Sequence, residues 1–363
     1  MKIFFSTFYD SSFGMGGAEQ VLLDLAASIQ SHSGDVALCA VNPGDLSDRL
    51  RQAGVRVVEL PRTKAKTWKI LEGYRSILHA FRPDIQHSFH RYSAFLLDLF
   101  FSNHAPIIYT EQVLRRDRRL FFRYGHRVTA CHETVRQNLI AHYGVRPDRV
   151  VTIPNAVKKR DVSAAKLEGL RARYPRSGGE VFALCTGRLE EQKGHRYLIG
   201  ALKVMNPEIR RRLKMFLAGE GSLRPSLMRM AGEAGVHENL VFLGHVPEVP
   251  EYLALCDFFV LPSLWEGLPL SVLEAYSQER PVLATDIPGT RESVQIGVTG
   301  FLVPPADENA LALGLERCVR DAQGLRAMGR AAAQWWAREF SFERMIEGYR
   351  KLYREMLLKK NPS

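Results

Sequence analysis

Residues 258–275 read FFVLPSLWEGLPLSVLEA, and that order of residue types decides the architecture. Phe258–Leu261 is a short, wholly apolar run, as expected of a strand buried on both faces. A loop carrying Glu266 follows, and a helix opens near Pro269, a residue suited to a first helical turn. Free amides at Leu270 and Ser271 would point out of that helix end and offer a seat to an anion. Glu266 stands ahead of the helix and Glu274 just over a turn inside it, so the two carboxylates reach different places around one anion. A ligand with hydroxyls on both sides of a phosphate, such as a nucleotide sugar, would use both.

The same strand–loop–helix unit recurs along the chain. Strands are predicted at Lys2–Phe8, Val36–Val41, Val55–Leu60, Ile85–His87, Ile107–Thr110, Arg127–Ala130 and Val150–Ile153. A second series runs through Val181–Thr186, Lys214–Ala218, Leu240–Leu243, Phe258–Leu261, Pro281–Ala284 and Phe301–Val303. Alternating strands and amphipathic helices imply α/β architecture with two doubly wound parallel sheets, whose ligands sit beyond the carboxyl ends of the strands, in a cleft between the domains. The expected division is a first domain over 1–157, a polar linker over 158–179, a second domain over 180–341, and a last helix over 342–363 returning to the first domain.

Gly187-Arg188-Leu189-Glu190-Glu191-Gln192-Lys193-Gly194 follows directly on Val181–Thr186. Glycines let backbone approach a ligand, while Arg188 and Lys193 place a planar fork and a point charge beyond the strand end. A diphosphate leaving group needs such compensation. Phe216-Leu217-Ala218-Gly219-Glu220-Gly221 adds a weaker strand-plus-glycine turn.

The ordered set GRLEEQKG, FLAGEGSLR, NLVFLGHV, PSLWEGLPLSVLEA, ERPVLATDIPGTRESV and GVTGFLVPP closely resembles the retaining nucleotide-sugar glycosyltransferases of family 4, which have the GT-B fold. GGAEQVLLDLA, PDIQHS, YTEQ and VRQNLIAHYGVRPDRVVTIPNAV extend the resemblance over nearly the whole chain. It implies two Rossmann-like domains, with the terminal helix near Tyr349 crossing back to the first. It implies that Glu266 contacts the donor sugar, Glu274 the ribose, and Arg188 and Lys193 the diphosphate. Gly16 and Gly17 would approach the donor phosphates from the first domain, with Gly187, Gly219, Leu270 and Ser271 completing the grip and Val246 bordering the base. A front-face displacement without a protein nucleophile is the mechanism implied, with closure of the domains excluding water.

Departures from the family pattern stand at Ile153-Pro154-Asn155-Ala156-Val157-Lys158, where a Gly is replaced by Ala and an Asp by Lys, and at Thr110-Glu111-Gln112-Val113. The usual H-x-H is His87-Ser88-Phe89-His90; His90, beyond the strand end, is favoured for the catalytic region, and His87 is expected to be a partly buried strand residue.

A nicotinamide-binding reading fails because Glu19 replaces the third glycine of the dinucleotide fingerprint after Gly14-Met15-Gly16-Gly17. No Asp-x-Asp occurs, so a metal-independent reaction is expected, with no cofactor and a UDP- or GDP-sugar as substrate. The alternatives are a catalytically inactive sugar-nucleotide-binding relative and a basic membrane- or RNA-binding protein. The latter has no RNA-module signature, so nucleic acid is not an expected partner.

The 363 residues, 46% hydrophobic and 25% charged, suit two globular domains. No apolar stretch has transmembrane length, the first residues read as a strand rather than a signal peptide, and Cys39, Cys131, Cys185, Cys256 and Cys318 form no C-x-x-C pair. A cytoplasmic protein in a reducing compartment is expected. Of a net charge of +11, +8 falls between Pro61 and Val128. Lys64 and Lys66 flank Trp68 together with Lys69, and Arg115, Arg116, Arg118 and Arg119 run into Leu120-Phe121-Phe122. That pattern suits an anionic membrane surface and a glycan or lipid-linked acceptor on its inner face, in cell-envelope polysaccharide or lipopolysaccharide synthesis.

Overall fold

The structure is a computed structural model and describes residues 1–8, 15–32, 34–61, 67–114 and 123–360. The described residues divide into two compact units, Met1–Asn155 with Glu343–Ser363, and Ala156–Phe342.

In the first unit, β1 (Lys2–Ser6), β2 (Val36–Val41), β3 (Arg56–Glu59), β4 (Ile85–Ser88), β5 (Ile107–Glu111), β6 (Arg127–Ala130) and β7 (Val150–Thr152) form one sheet in the order β3-β2-β1-β4-β5-β6-β7. Every pairing in it is parallel. The order reverses between β1 and β4, which opens a crevice at the carboxyl ends of those two strands. Helix Gly17–Gln30 covers the sheet because Val21, Leu22, Leu25, Ala26 and Ile29 recur on one face and are all buried.

The second unit repeats the plan. Strands β8 (Val181–Thr186), β9 (Leu213–Ala218), β10 (Leu240–Gly244), β11 (Phe258–Leu261), β12 (Val282–Thr285) and β13 (Gly300–Val303) take the order β10-β9-β8-β11-β12-β13. Along β8, Val181, Ala183 and Cys185 enter one core while Phe182 and Leu184 enter the other. A strand so covered on both faces reads as an unbroken apolar run, which is why these strands are visible in the sequence. Both units are therefore Rossmann-like, as the GT-B expectation requires. All five cysteines are buried and none is in a disulfide.

The stretch 158–179 is not a linker. It carries helix Ala164–Arg173, capped by the Ser163 hydroxyl, and belongs to the second unit. Leu167, Leu170 and Tyr174 pack against the core that holds Phe216, Tyr252 and Leu253, and the Ser163 amide donates to Glu251 at 3.0 Å. No residue of this helix is fully buried, so its charge-rich sequence lacks a strong apolar stripe. The final helix, Phe342–Lys360, packs in the first unit through Met345, Ile346, Tyr349, Leu352, Tyr353 and Met356, all buried.

Candidate functional site

At the carboxyl end of β8 the chain turns through Gly187 and runs to a short 3-10 turn, Glu191–Lys193, which Gly194 ends at φ 65°. A Cβ on Gly194 would sit 2.0 Å from the Pro262 carbonyl, so only glycine lets this loop lie against the loop after β11. The two loops are also joined by the Leu264 amide donating to the Gln192 carbonyl at 2.8 Å. This joining brings Lys193 and Glu266 together: Lys193 Nζ lies 2.6 Å from Glu266 Oε1, with side-chain exposures of only 18% and 10%. The Ser263 hydroxyl donates to the same oxygen at 2.8 Å, and Gln192 Nε2 donates to the Trp265 carbonyl at 2.9 Å. Gly219, after β9, packs as closely: a Cβ there would meet the Gly187 carbonyl at 1.9 Å.

Helix Leu270–Ser277 begins after Pro269 with no side-chain cap, so Pro269 is the residue before the first turn rather than within it. Its opening amides, Leu270 and Ser271, stand next in the chain to the Glu266 loop. Partners on neighbouring loops are different for the other predicted residues. Arg188 is exposed, with Glu190 the carboxylate it influences; Glu190 itself accepts from the Ser222 amide and hydroxyl at 2.9 Å. Val246 is partly buried and packs on the second unit's core. Glu274 is half-buried in a narrow crevice with Lys158, Arg160 and Gln278. Burial raises its pKa to about 7 against the opposing pull of Arg160. The structure thus unites Lys193 with Glu266 and gives Glu274 separate surroundings.

In the first unit, Gly16 caps helix Gly17–Gln30, and its amide donates to Glu19 Oε2 at 3.0 Å. The side chain that spoils the dinucleotide fingerprint folds back and occupies the helix end itself. His90 begins helix Arg91–Phe100, its Nδ1 accepting from the Tyr92 amide at 3.2 Å. It lines a cavity of about 540 Å³ with Phe8, Tyr92, Phe95, Tyr109 and Glu111. His87, by contrast, is wholly rather than partly buried, with Nδ1 2.8 Å from the Tyr353 hydroxyl and Nε2 2.7 Å from the Thr110 hydroxyl. Desolvation pushes its pKa down to about 3, so it stays neutral. Lys64, Lys66, Arg115, Arg116, Arg118 and Arg119 lie outside the described residues.

Two family models match the chain: "Glycosyltransferase Family 4" over residues 15–160 and "Glycosyl transferases group 1" over residues 168–335. Together they take in most of both units. The chain belongs to the family 4 type of glycosyltransferases. An α-D-kanosaminyltransferase of Streptomyces kanamyceticus is 30% identical over 204 residues, 55% of this chain and 51% of that one. A UDP-Gal:α-D-GlcNAc-diphosphoundecaprenol α-1,3-galactosyltransferase of Escherichia coli is 28% identical over 245 residues, 64% and 61% of the two. The chain spans about half to three fifths of the length of such curated relatives. Among solved structures, Anabaena Alr3699/HepE in complex with UDP superposes with a TM-score of 0.85 at 21% identity, covering 98% of this chain and 100% of that one. That likeness shows the GT-B fold.

Within this family 4 chain, the departures from pattern are accommodated locally. Gln112 and Asn155 are buried and bond to each other, Asn155 Nδ2 donating to Gln112 Oε1 at 2.8 Å. Ala156 keeps an ordinary negative φ, so the turn there does not require glycine. Sequence reasoning missed Ser263, Gln192 and the buried Glu111, which accepts from Arg91 at 2.7 and 2.8 Å and from the Tyr109 hydroxyl at 2.9 Å. Ser263 sits three residues before Glu266 in a loop with no periodicity, so nothing in its spacing marks it.

Proposed function

We propose that this chain transfers a sugar, with retention, from a nucleotide-diphosphate donor held by the second unit to a hydroxyl of an acceptor held by the first. The observation that carries the reading is the shielded Lys193–Glu266 pair, at 2.6 Å beside an uncapped helix end. Lys193 and Arg188 take up charge as the bond between the anomeric carbon and the departing diphosphate breaks, and the Leu270 and Ser271 amides add dipoles aimed at the same oxygens. Glu266 accepts from sugar hydroxyls and Glu274 from the ribose. Gly187 and Gly219 let backbone approach the donor, Gly16 and Gly17 approach it from the first unit, and Val246 borders the base. His90 orients the acceptor hydroxyl. The acceptor oxygen attacks from the face the diphosphate leaves, and its proton passes to the departing phosphate oxygen. No metal or cofactor takes part.

The donor proposed is a UDP- or GDP-sugar, in keeping with the UDP bound by the Anabaena protein. The acceptor proposed is a glycan or lipid-linked sugar of the cell envelope, as in the diphosphoundecaprenol named for the Escherichia coli relative, met at the inner face of the membrane. A thermal-shift screen with UDP-, GDP- and ADP-sugars tests the donor: one class should raise the melting temperature of wild type and fail to do so for K193A. Equal, negligible shifts with all three would overturn the reading.

A further inference from the structure

A cavity of about 350 Å³ opens at the opposite edge of the second sheet, lined among others by Arg171, Tyr174, Arg176, Asp257 and Arg280. Asp257 immediately precedes β11 and Arg280 comes just before β12, so this is the amino-terminal edge, away from the loops that carry Lys193 and Glu266. Three guanidinium groups face one carboxylate. That carboxylate is already used: Arg176 Nη1 reaches its two oxygens at 3.1 and 2.9 Å, and the Phe182 amide donates to Oδ2 at 2.8 Å. Arg176 is fixed further by the Leu255 carbonyl and by stacking 4.3 Å over the Phe182 ring. Among the described residues Arg171 has a loose, exposed pair with Glu168 at 3.6 Å, worth little in water.

Arg280 is the anomaly. It is half-buried, its Nε is shut off from solvent, and among the described residues that atom has no hydrogen-bond partner. Burial depresses its pKa against the opposing pull of Cys256, Asp257 and Glu279, with a smaller push from Arg176. Those three groups offset part of the cost of burial, yet none of them gives Nε a hydrogen bond. A shielded guanidinium nitrogen without a hydrogen-bond partner is costly, and a planar fork beside a second fixed guanidinium is an arrangement that phosphate oxygens satisfy.

We infer that Arg171, Arg176 and Arg280 form a second anion site, for a phosphate group, at the amino-terminal edge of the second sheet. Its ligand is a phosphomonoester or phosphodiester, whether free in solution or on a lipid headgroup. The site does not depend on the proposed transfer reaction.

Inorganic phosphate is titrated at constant ionic strength against wild type, K193A, R280Q and R171Q, with the melting temperature as readout. A saturable rise is expected in wild type and K193A alike. The concentration for half effect should increase on the order of tenfold or more in R280Q and R171Q. Arg171 lies on an exposed helix face, so R171Q tests the site even where R280Q folds poorly. Identical responses in wild type and both arginine variants would overturn the inference. So would a response lost in K193A and kept in R280Q, since that places phosphate at the Lys193 loop. Co-sedimentation with phosphatidylcholine vesicles containing phosphatidylglycerol separates the sources. Weaker retention of R280Q than of wild type assigns a lipid phosphate; equal retention, with the phosphate response lost, assigns a soluble one.

Discussion

Lys193 and Glu266 hold each other's rotamers, so in the proposed reaction the ammonium would meet the donor without first being ordered. K193A should therefore reduce transfer by about a hundred- to a thousand-fold, the range for deleting one positioned charge-stabilising donor. E266Q should lose most transfer while keeping its bond with Ser263 and its melting temperature within a few degrees; turnover measured beside circular dichroism checks both. Glu274 makes a pH prediction. An acid whose folded pKa is raised from 4.5 to about 7 binds extra protons in the folded state. Its contribution to stability is thus present below about 4.5 and lost as pH rises through about 7. Nucleotide affinity should run the other way, rising as the carboxylate ionises, and E274Q should flatten both profiles in a calorimetric titration from pH 5.5 to 8.5. That Lys193 and Glu266 lie together was legible, because both stand just beyond strand ends beside a glycine; the separate crevice of Glu274 with Lys158 and Arg160 was not. Ser263 and the capping Glu19 were not, since their roles rest on side-chain contacts that no periodicity records.

Among elements, the loops after β8, β9 and β11 are fixed by backbone contacts that tolerate no side chain. G194A combines positive φ with a Cβ 2.0 Å from the Pro262 carbonyl, so it should cost at least about 1–2 kcal/mol from conformation alone and displace Lys193 from Glu266. A lowered urea midpoint at unchanged m, with weakened nucleotide binding, is the outcome expected. Strand β4 and the last helix meet at His87 and Tyr353. Y353F leaves a buried imidazole nitrogen without its partner and should cost about 1–3 kcal/mol. Because His87 folds neutral with a pKa near 3, its protonation favours unfolding, so stability should fall as pH drops below about 6.5. The strands of the described residues were readable in the sequence, most of them because buried parallel strands are short and apolar; β3, Arg-Val-Val-Glu with no buried residue, was readable from its paired valines. Helix Ala164–Arg173 was not, because half-buried leucines among four charged neighbours look like a solvated connector.

For the molecule as a whole, the surplus of positive charge is concentrated in the first unit's sequence, and the described part of it shows Trp68 57% exposed with Lys69 5.1 Å over its ring. Wild type should pellet with vesicles containing anionic lipid at low salt and be released as salt shortens the Debye length; W68A should pellet less. Retention by neutral vesicles alone, insensitive to salt, would count against an electrostatic surface. Two units of Rossmann-like topology were legible from alternation, and the last helix was expected to return to the first unit, which is discontinuous and includes Glu343–Ser363; the second unit begins at Ala156 rather than after a linker ending at 179. That discontinuity has a consequence for biosynthesis. The Nδ1 partner of His87 lies 266 residues downstream, so a ribosome emits the whole second unit before it emits Tyr353. The contiguous unit can therefore mature on the nascent chain while the earlier-made one waits, the buried His87 of β4 lacking its Tyr353 partner until translation is nearly over. That reverses the usual order in which the N-terminal part folds first.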